Sequence, residues 1–216
     1  MEVVPQLWIV AGPNGAGETT SVQKEPIASI LPRVPFFNPD DRTLQKLRAE
    51  GFKGFADAPF DIQTRLFIES ANEVFNELKI VLDSGQSVGV ETVLSSEKYR
   101  PLVETVNACD GIFCLIYVAL SSPDISRRRI AARVQRGGHG VPEAKIALRW
   151  QRSLDYLPWF ARRATSFWVV DNSDSNRANA PKLLASGKNG RLEFLNSDAF
   201  PEMKAALASL PTSPPQ

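Results

Sequence analysis

Histidine and cysteine are nearly missing from this chain, with one of the former and two of the latter in 216 residues. No HxH, HExxH or CxxC pattern occurs, so the sequence offers no permanent metal centre. Cys109 and Cys114 are too few for a disulfide framework. They read as buried thiols, one at a helix end and one in a strand, and a reducing cytoplasm is the expected compartment. Charge of one sign is also lacking: the formal net charge is +1, too small to steer the chain globally to nucleic acid or to an anionic membrane. No apolar run is long enough to span a bilayer, and the start has no basic segment followed by an apolar one. No internal repeat is present.

What remains is ordinary for a soluble globular protein, with 43% hydrophobic and 23% charged residues. The length suits one α/β domain, expected over residues 1–210, with 211–216 as a disordered tail. Leu7 to Ala11, Val34 to Asn38, Ser87 to Thr92, Ile112 to Leu120 and Phe167 to Val170 read as strands. Ile112 to Leu120 is the most continuous apolar run and belongs at the centre of a parallel sheet. Between the strands the spacing predicts helices. One runs from the glycine-rich turn toward Ile30 and is broken near Pro26. Others cover Asp41 to Glu50 with Gly51 as a stop, Phe60 to Ser84 with Gly85 as a stop, Glu97 to Ala108, and Pro123 to Gln135. A further helix opens at Val141-Pro142, and a short one covers Pro201 to Leu210. Leu192 to Leu195 is a candidate edge strand after Asn189-Gly190. Strands alternating with helices imply a mostly parallel sheet wrapped on both faces, with ligands beyond its C-terminal strand ends. Trp150, Trp159 and Trp168 are expected in the core.

The most informative stretch is Trp8-Ile9-Val10-Ala11-Gly12-Pro13-Asn14-Gly15-Ala16-Gly17-Glu18-Thr19-Thr20. An apolar strand meets a glycine-rich turn and a helix start, in the spacing G-x-x-x-x-G-K-[ST] of a P-loop. Gly12, Gly15 and Gly17 let successive N–H groups turn inward as an anion nest, reinforced by the helix N-terminus. Thr19 sits where such loops place a hydroxyl on Mg²⁺, and Thr20 where one bonds an inner phosphate. The lysine position holds Glu18. A unit-charge contact at about 4 Å is worth roughly 4 kcal/mol at an effective dielectric near 20, so reversing the sign is expected to weaken nucleoside triphosphate binding.

Other chemistry collects at the same predicted strand ends. Asp40 follows a strand and a proline, where a carboxylate can take a proton from an acceptor hydroxyl. One of Asp40 and Asp41 is expected to cap the helix, Asp41 being the better candidate. Glu91 and Thr92 end a central strand, and Asp171 and Asn172 end another. Arg129, Arg133 and Arg136 share one helix face, from which a lid arginine would neutralise a phosphoryl group in transfer. Arg127 and Arg128 read as a solvated face. Gly137, Gly138 and Gly140 form a candidate hinge, and His139 within it either touches phosphate or substrate or is exposed. RNA binding through the basic helix finds no support in net charge or in any RNA-binding motif.

In their order along the chain these pieces resemble the zeta toxin family of P-loop kinases. They are Ala11 to Thr20 apart from position 18, Phe37-Asn38-Pro39-Asp40, Val90-Glu91-Thr92, the helix and joint from Arg133 to Pro142, and Asp171-Asn172-Ser173, together spanning roughly residues 7–175. The resemblance implies a three-layer P-loop NTPase/kinase fold with a helical lid. It implies ATP- and Mg²⁺-dependent phosphoryl transfer to a sugar hydroxyl, in the best-known members that of UDP-N-acetylglucosamine, and a small antitoxin as a possible partner. Carried over residue by residue, Asp40 is the general base, and Arg133 clamps phosphate together with Arg136 and His139. Gly12, Asn14, Gly15, Ala16, Gly17, Thr19 and Thr20 hold ATP, with Thr19 serving the metal. Asn38, Glu91 and Thr92 line the acceptor pocket. Glu18 departs from the family's lysine at a catalytic position. The alternative expectation is a non-catalytic module that binds a nucleotide or a partner without turnover.

Overall fold

The computed structural model describes residues 4–174, 176 and 179–213. Its elements in chain order are β1 (Gln6–Ala11), α1 (Glu18–Ser21), β2 (Phe36–Phe37), α2 (Pro39–Ala49), α3 (Phe60–Asp83), β3 (Val88–Thr92), α4 (Arg100–Ala108), β4 (Ile112–Ala119), α5 (Pro123–Gln135), α6 (Glu143–Arg163), β5 (Ser166–Asp171), β6 (Lys182–Lys188), β7 (Arg191–Leu195) and α7 (Pro201–Leu207). The strands form one sheet in the order β2-β3-β1-β4-β5-β6-β7. The first five are parallel, and β6 and β7 are antiparallel.

β1 and β4 lie side by side at the middle. Leu7, Ile9 and Ala11 on one face of β1 and Trp8 and Val10 on the other are all buried, so helices cover both faces. The chain leaves β1 for the β2–β3 side of the sheet and returns after β3 to β4 on the other side. The loop after β1 therefore stands at the point where strand order reverses, the crevice where open α/β sheets bind ligands. A second, smaller core of Leu47, Phe55, Ala58 and Leu66, with Phe52 and Phe67 packed on it, joins α2, α3 and the loop between them.

Four helices end the same way. At the C-terminus of α5, Gly138 N–H donates to the Arg133 carbonyl and Gly137 N–H to that of Val134, with Gly137 at φ +84°. This is a Schellman stop. The same pair of bonds closes α2, α3 and α4 around Gly51, Gly85 and Asp110. The glycines expected as a hinge after α5 thus begin as a helix terminator.

Several expectations need correction. The helix after the loop is a single turn, Glu18–Ser21, not a run toward Ile30. Pro26 lacks an N–H and disfavours helix at Glu25, and the few residues left are too short to hold a helix. The cap of α2 is Asn38, whose side chain accepts from Asp40 N–H, with Pro39 in the first helical position. Asp40 and Asp41 are first-turn residues rather than caps. Cys109 is exposed and only Cys114 is buried. β6 had no counterpart in the sequence reading. Pro211 and Ser213 are tied to Leu192 by backbone hydrogen bonds of 2.8 and 2.9 Å, so the expected disorder does not hold for 211–213, and 214–216 lie outside the described residues. Trp150 is buried, and Trp159 and Trp168 pack against the main core. Among the described residues no helix is long and apolar enough to cross a membrane.

Candidate functional site

The loop between β1 and α1 is shaped by contacts that only small residues allow. A Cβ at Gly12 would lie 2.3 Å from the Val118 carbonyl oxygen and 2.9 Å from the Ala16 Cβ. Gly12 N–H is fixed by the Thr92 carbonyl at 3.2 Å, and Ala16 N–H closes a turn on Pro13. Gly15 and Gly17 take φ of +80° and +85°, the conformation that curls main-chain amides toward one point. From outside, Asn172 Nδ2 donates to the Ala16 carbonyl at 2.7 Å. Arg129 donates to the carbonyls of Asn172 and Asp174 at 2.6 and 2.9 Å and to those of Gly15 and Ala16 at 3.4 Å. The carbonyls are thus held outward. Asn14 is buried and its side-chain oxygen has no partner.

A chain of hydrogen bonds leads from this loop to Asp40. Thr19 Oγ1 donates to Glu91 Oε2 at 2.6 Å. Asn38 Nδ2 donates to the same oxygen at 2.9 Å, while Asn38 Oδ1 accepts from Asp40 N–H at 2.9 Å. Thr20 begins its turn with N–H on the Gly17 carbonyl. Asn38 and Glu91, expected to line an acceptor pocket, are therefore also the struts that hold the Asp40 turn to the loop. Thr92 is similarly occupied: its Oγ1 accepts from Leu94 N–H at 3.5 Å, and its carbonyl holds Gly12.

Glu18 lies among carboxylates. Burial pushes its carboxyl up to about 8, its own backbone N–H opposes that, Glu91 and Asp40 add to the rise, and Arg133 counteracts it. Glu18 retains some exposed area, but protein atoms crowd the carboxyl and desolvation dominates. The rise weakens the extra negative charge expected at this position, and the lysine's positive charge is absent. Burial also raises Glu91, against the lowering effect of its bonds to Thr19 and Asn38. Tyr99 is buried nearby and pushed up to about 12.

The opposite wall is cationic. Arg133 is held down by burial, which Asp40 and Glu18 oppose. Its Nε donates to the His139 carbonyl at 3.0 Å, and its Nη2 is buried with no partner. Arg149 is lowered by burial and opposed by Asp40 in the same way. His139 is buried, not exposed, with Nε2 3.3 Å from Asp40 Oδ2. Arg136 is exposed and its Nε bonds the Ala132 carbonyl one turn back. No described contact brings Arg136 to the loop. Arg127 engages Asp124 and Glu143 at the surface.

Sequence reasoning gave no role to Arg149 or Tyr99. A signal existed for Arg149: it lies between Ile146 and Trp150, both buried, on the edge of the inward face of α6. No such local signal marks Tyr99.

The site fits a polyphosphate on this structure's own terms. It has a turn whose Gly15 and Gly17 take positive φ, and a buried guanidinium nitrogen at Arg133 without a partner, a donor that a phosphate oxygen would satisfy. Buried polar groups are seldom left unpaired. The misfit is the missing lysine.

No protein-family model matches the chain, and no curated protein matches it. Solved structures do. A candidate kinase from Chloroflexus aurantiacus J-10-fl is 24% identical, with a TM-score of 0.50 over 69% of this chain and 76% of its own. A chain of AvrRxo1-ORF1:-ORF2, crystallised with ATP, is 14% identical with a TM-score of 0.61 over 88% of this chain, which spans 60% of that one. A chain of the PezAT chromosomal toxin–antitoxin system of Streptococcus pneumoniae is 11% identical, with a TM-score of 0.52 over 80% of this chain and 70% of its own. At these identities the likeness is one of fold, and the fold is that of the P-loop kinases: a mostly parallel α/β sheet with the phosphate-type loop after its first strand.

Proposed function

We propose that this chain is a cytoplasmic P-loop phosphotransferase of the zeta toxin type, built as a single domain over residues 1–210. In this reading ATP with Mg²⁺ binds at Gly12–Thr20 and donates a phosphoryl group to a sugar hydroxyl, that of a UDP-N-acetylhexosamine. Turnover is held down by Glu18. The observation that carries the reading is the Thr19–Glu91–Asn38–Asp40 chain of hydrogen bonds, which ties a carboxylate to the phosphate-type loop. The AvrRxo1 neighbour crystallised with ATP and the PezAT neighbour support it at the level of fold.

The residues divide the work. Loop amides other than those of Gly12, Ala16 and Thr20, which are bonded to carbonyls, orient the polyphosphate, and Thr19 offers a hydroxyl to the metal, which supplies charge neutralisation when bound. Arg133, with its unpartnered Nη2, and Arg149 offset charge that develops on the moving phosphoryl group. Asp40 accepts the proton of the acceptor hydroxyl as the new O–P bond forms and the bond to the nucleoside diphosphate breaks.

The test is transfer of labelled γ-phosphate to UDP-N-acetylhexosamines by the wild type and by Glu18→Lys. Transfer that is weak in the wild type and strong in the variant is expected. A lysine variant that gains neither Mg·ATP affinity nor transfer ends the proposal.

Glu18 itself favours a second reading, in which the pocket recognises a nucleotide or a small antitoxin-like protein without turnover. A partner recovered from the native host that persists with Asp40→Ala would favour it.

A further inference from the structure

The joint between α5 and α6 is held at one residue. The His139 ring lies against Phe55 and Phe67, with ring centroids 5.2 and 5.3 Å away and both planes steeply inclined. Those two phenylalanines belong to the small core that α2 and α3 share. The same ring faces Asp40 at 3.3 Å, and the carbonyl of the same residue takes Arg133 Nε at 3.0 Å. A residue on the joint thus touches the first turn of α2 through its side chain and fixes an α5 guanidinium through its main chain. Gly138 reinforces the second contact, since a Cβ there would lie 2.5 Å from Arg133 Cγ.

We propose that His139 is a positioning residue: by seating on Phe55 and Phe67 it docks residues 136–142 onto α2 and α3, and so sets the Asp40 carboxylate and the Arg133 guanidinium together. This rests on the reading of Asp40 as the base. Docking stabilises both groups at once because the seat is apolar on two sides, where an imidazole without its aromatic partners would return to water. The charged groups facing the ring are Asp40 from α2, Arg133 from α5 and Arg149 from α6. Burial and the two arginines lower its affinity for a proton, and Asp40 raises it.

His139 is the sole histidine of the chain, so its ring signals in an NMR titration of the full-length protein are unambiguous. The expected pattern has two signs. Asp40→Asn moves the His139 midpoint to lower pH, and Arg149→Gln moves it to higher pH. In hydrogen exchange, His139→Ala speeds the hydrogen-bonded amides within 136–142, those of Arg136, Gly137 and Gly138, at least about tenfold, while those of β1 and β4 keep their protection. Should His139→Ala lose protection in β1 and β4 as well, His139→Gln decides: it keeps a donor toward Asp40 but loses the aromatic seat, and faster exchange confined to 136–142 is again expected. A midpoint unmoved by Asp40→Asn, or exchange in 136–142 within about twofold of wild type in a folded His139 variant, overturns the proposal. Neither readout needs phosphoryl transfer. If transfer fails and these shifts appear, the docking contact stands and the role of Asp40 falls; if transfer is found and they do not appear, the docking proposal falls alone.

Discussion

The two walls of the cleft hold charge in different ways. The loop wall from Gly12 to Thr20 has main-chain amides and, at the position of the usual cation, a carboxyl pushed up to about 8. The facing wall has Arg133, Arg149 and His139 gathered around Asp40. In the proposed reading the first attracts an anion through oriented dipoles, which glycine geometry fixes. The second does so with side-chain charges, which depend on how α2, α5 and α6 pack. The loop has lost its mobile charge and the rest of the site has not, so the two walls can be perturbed separately.

The largest effect is expected on the cationic wall. In a Glu18→Lys background, Asp40→Asn should lower phosphoryl transfer about 10²–10⁴-fold while Mg·ATP affinity by calorimetry changes little; equal loss of both would merge the two walls into one. Next comes the loop wall's missing charge. Glu18→Lys should tighten Mg·ATP by about 10²–10³-fold, since one contact near 4 Å is worth roughly 4 kcal/mol, and no gain would mean that the nest does not hold the polyphosphate. A smaller effect is expected from protonation. Glu18 holds its proton more tightly folded (about 8) than at its ordinary value of 4.5. Its contribution to stability is therefore complete below about pH 4.5 and lost as pH rises through 8. Urea unfolding of wild type and Glu18→Gln across pH 4 to 9 should give curves that differ by this slope, and parallel curves would place the carboxyl in water. The smallest effect is steric. Gly12→Ala should cost about 1–3 kcal/mol of stability, because its Cβ meets the Val118 carbonyl at 2.3 Å; an unchanged urea midpoint would show a looser loop.

The sequence made some of this legible because the determinants were local. α5 spans Pro123–Gln135 as expected, since Ser122 caps it with Pro123 next and Gly137 stops it. Pro39 could have settled the α2 cap as well, for proline favours the first helical position and leaves Asn38 as the cap. β6 escaped because Lys182-Leu-Leu-Ala-Ser-Gly-Lys has no period-2 alternation and no β-branched residue, and it is a strand through its pairing with β5. The Gly12–Thr20 loop, Asn38, Asp40 and Glu91 could be picked out because a strand end and a turn mark each one. The burial of His139 could not, because it depends on Phe55 and Phe67, more than seventy positions away in the chain. The raised proton affinity of Glu18 escaped for the same reason: the residue type is acidic, and only its surroundings push its carboxyl up.

The four carbonyls that Arg129 gathers, two from the loop and two from the chain after β5, rivet α5 to the back of the cradle. That helix cannot swing over a bound molecule without tearing those bonds, so it behaves as part of the frame.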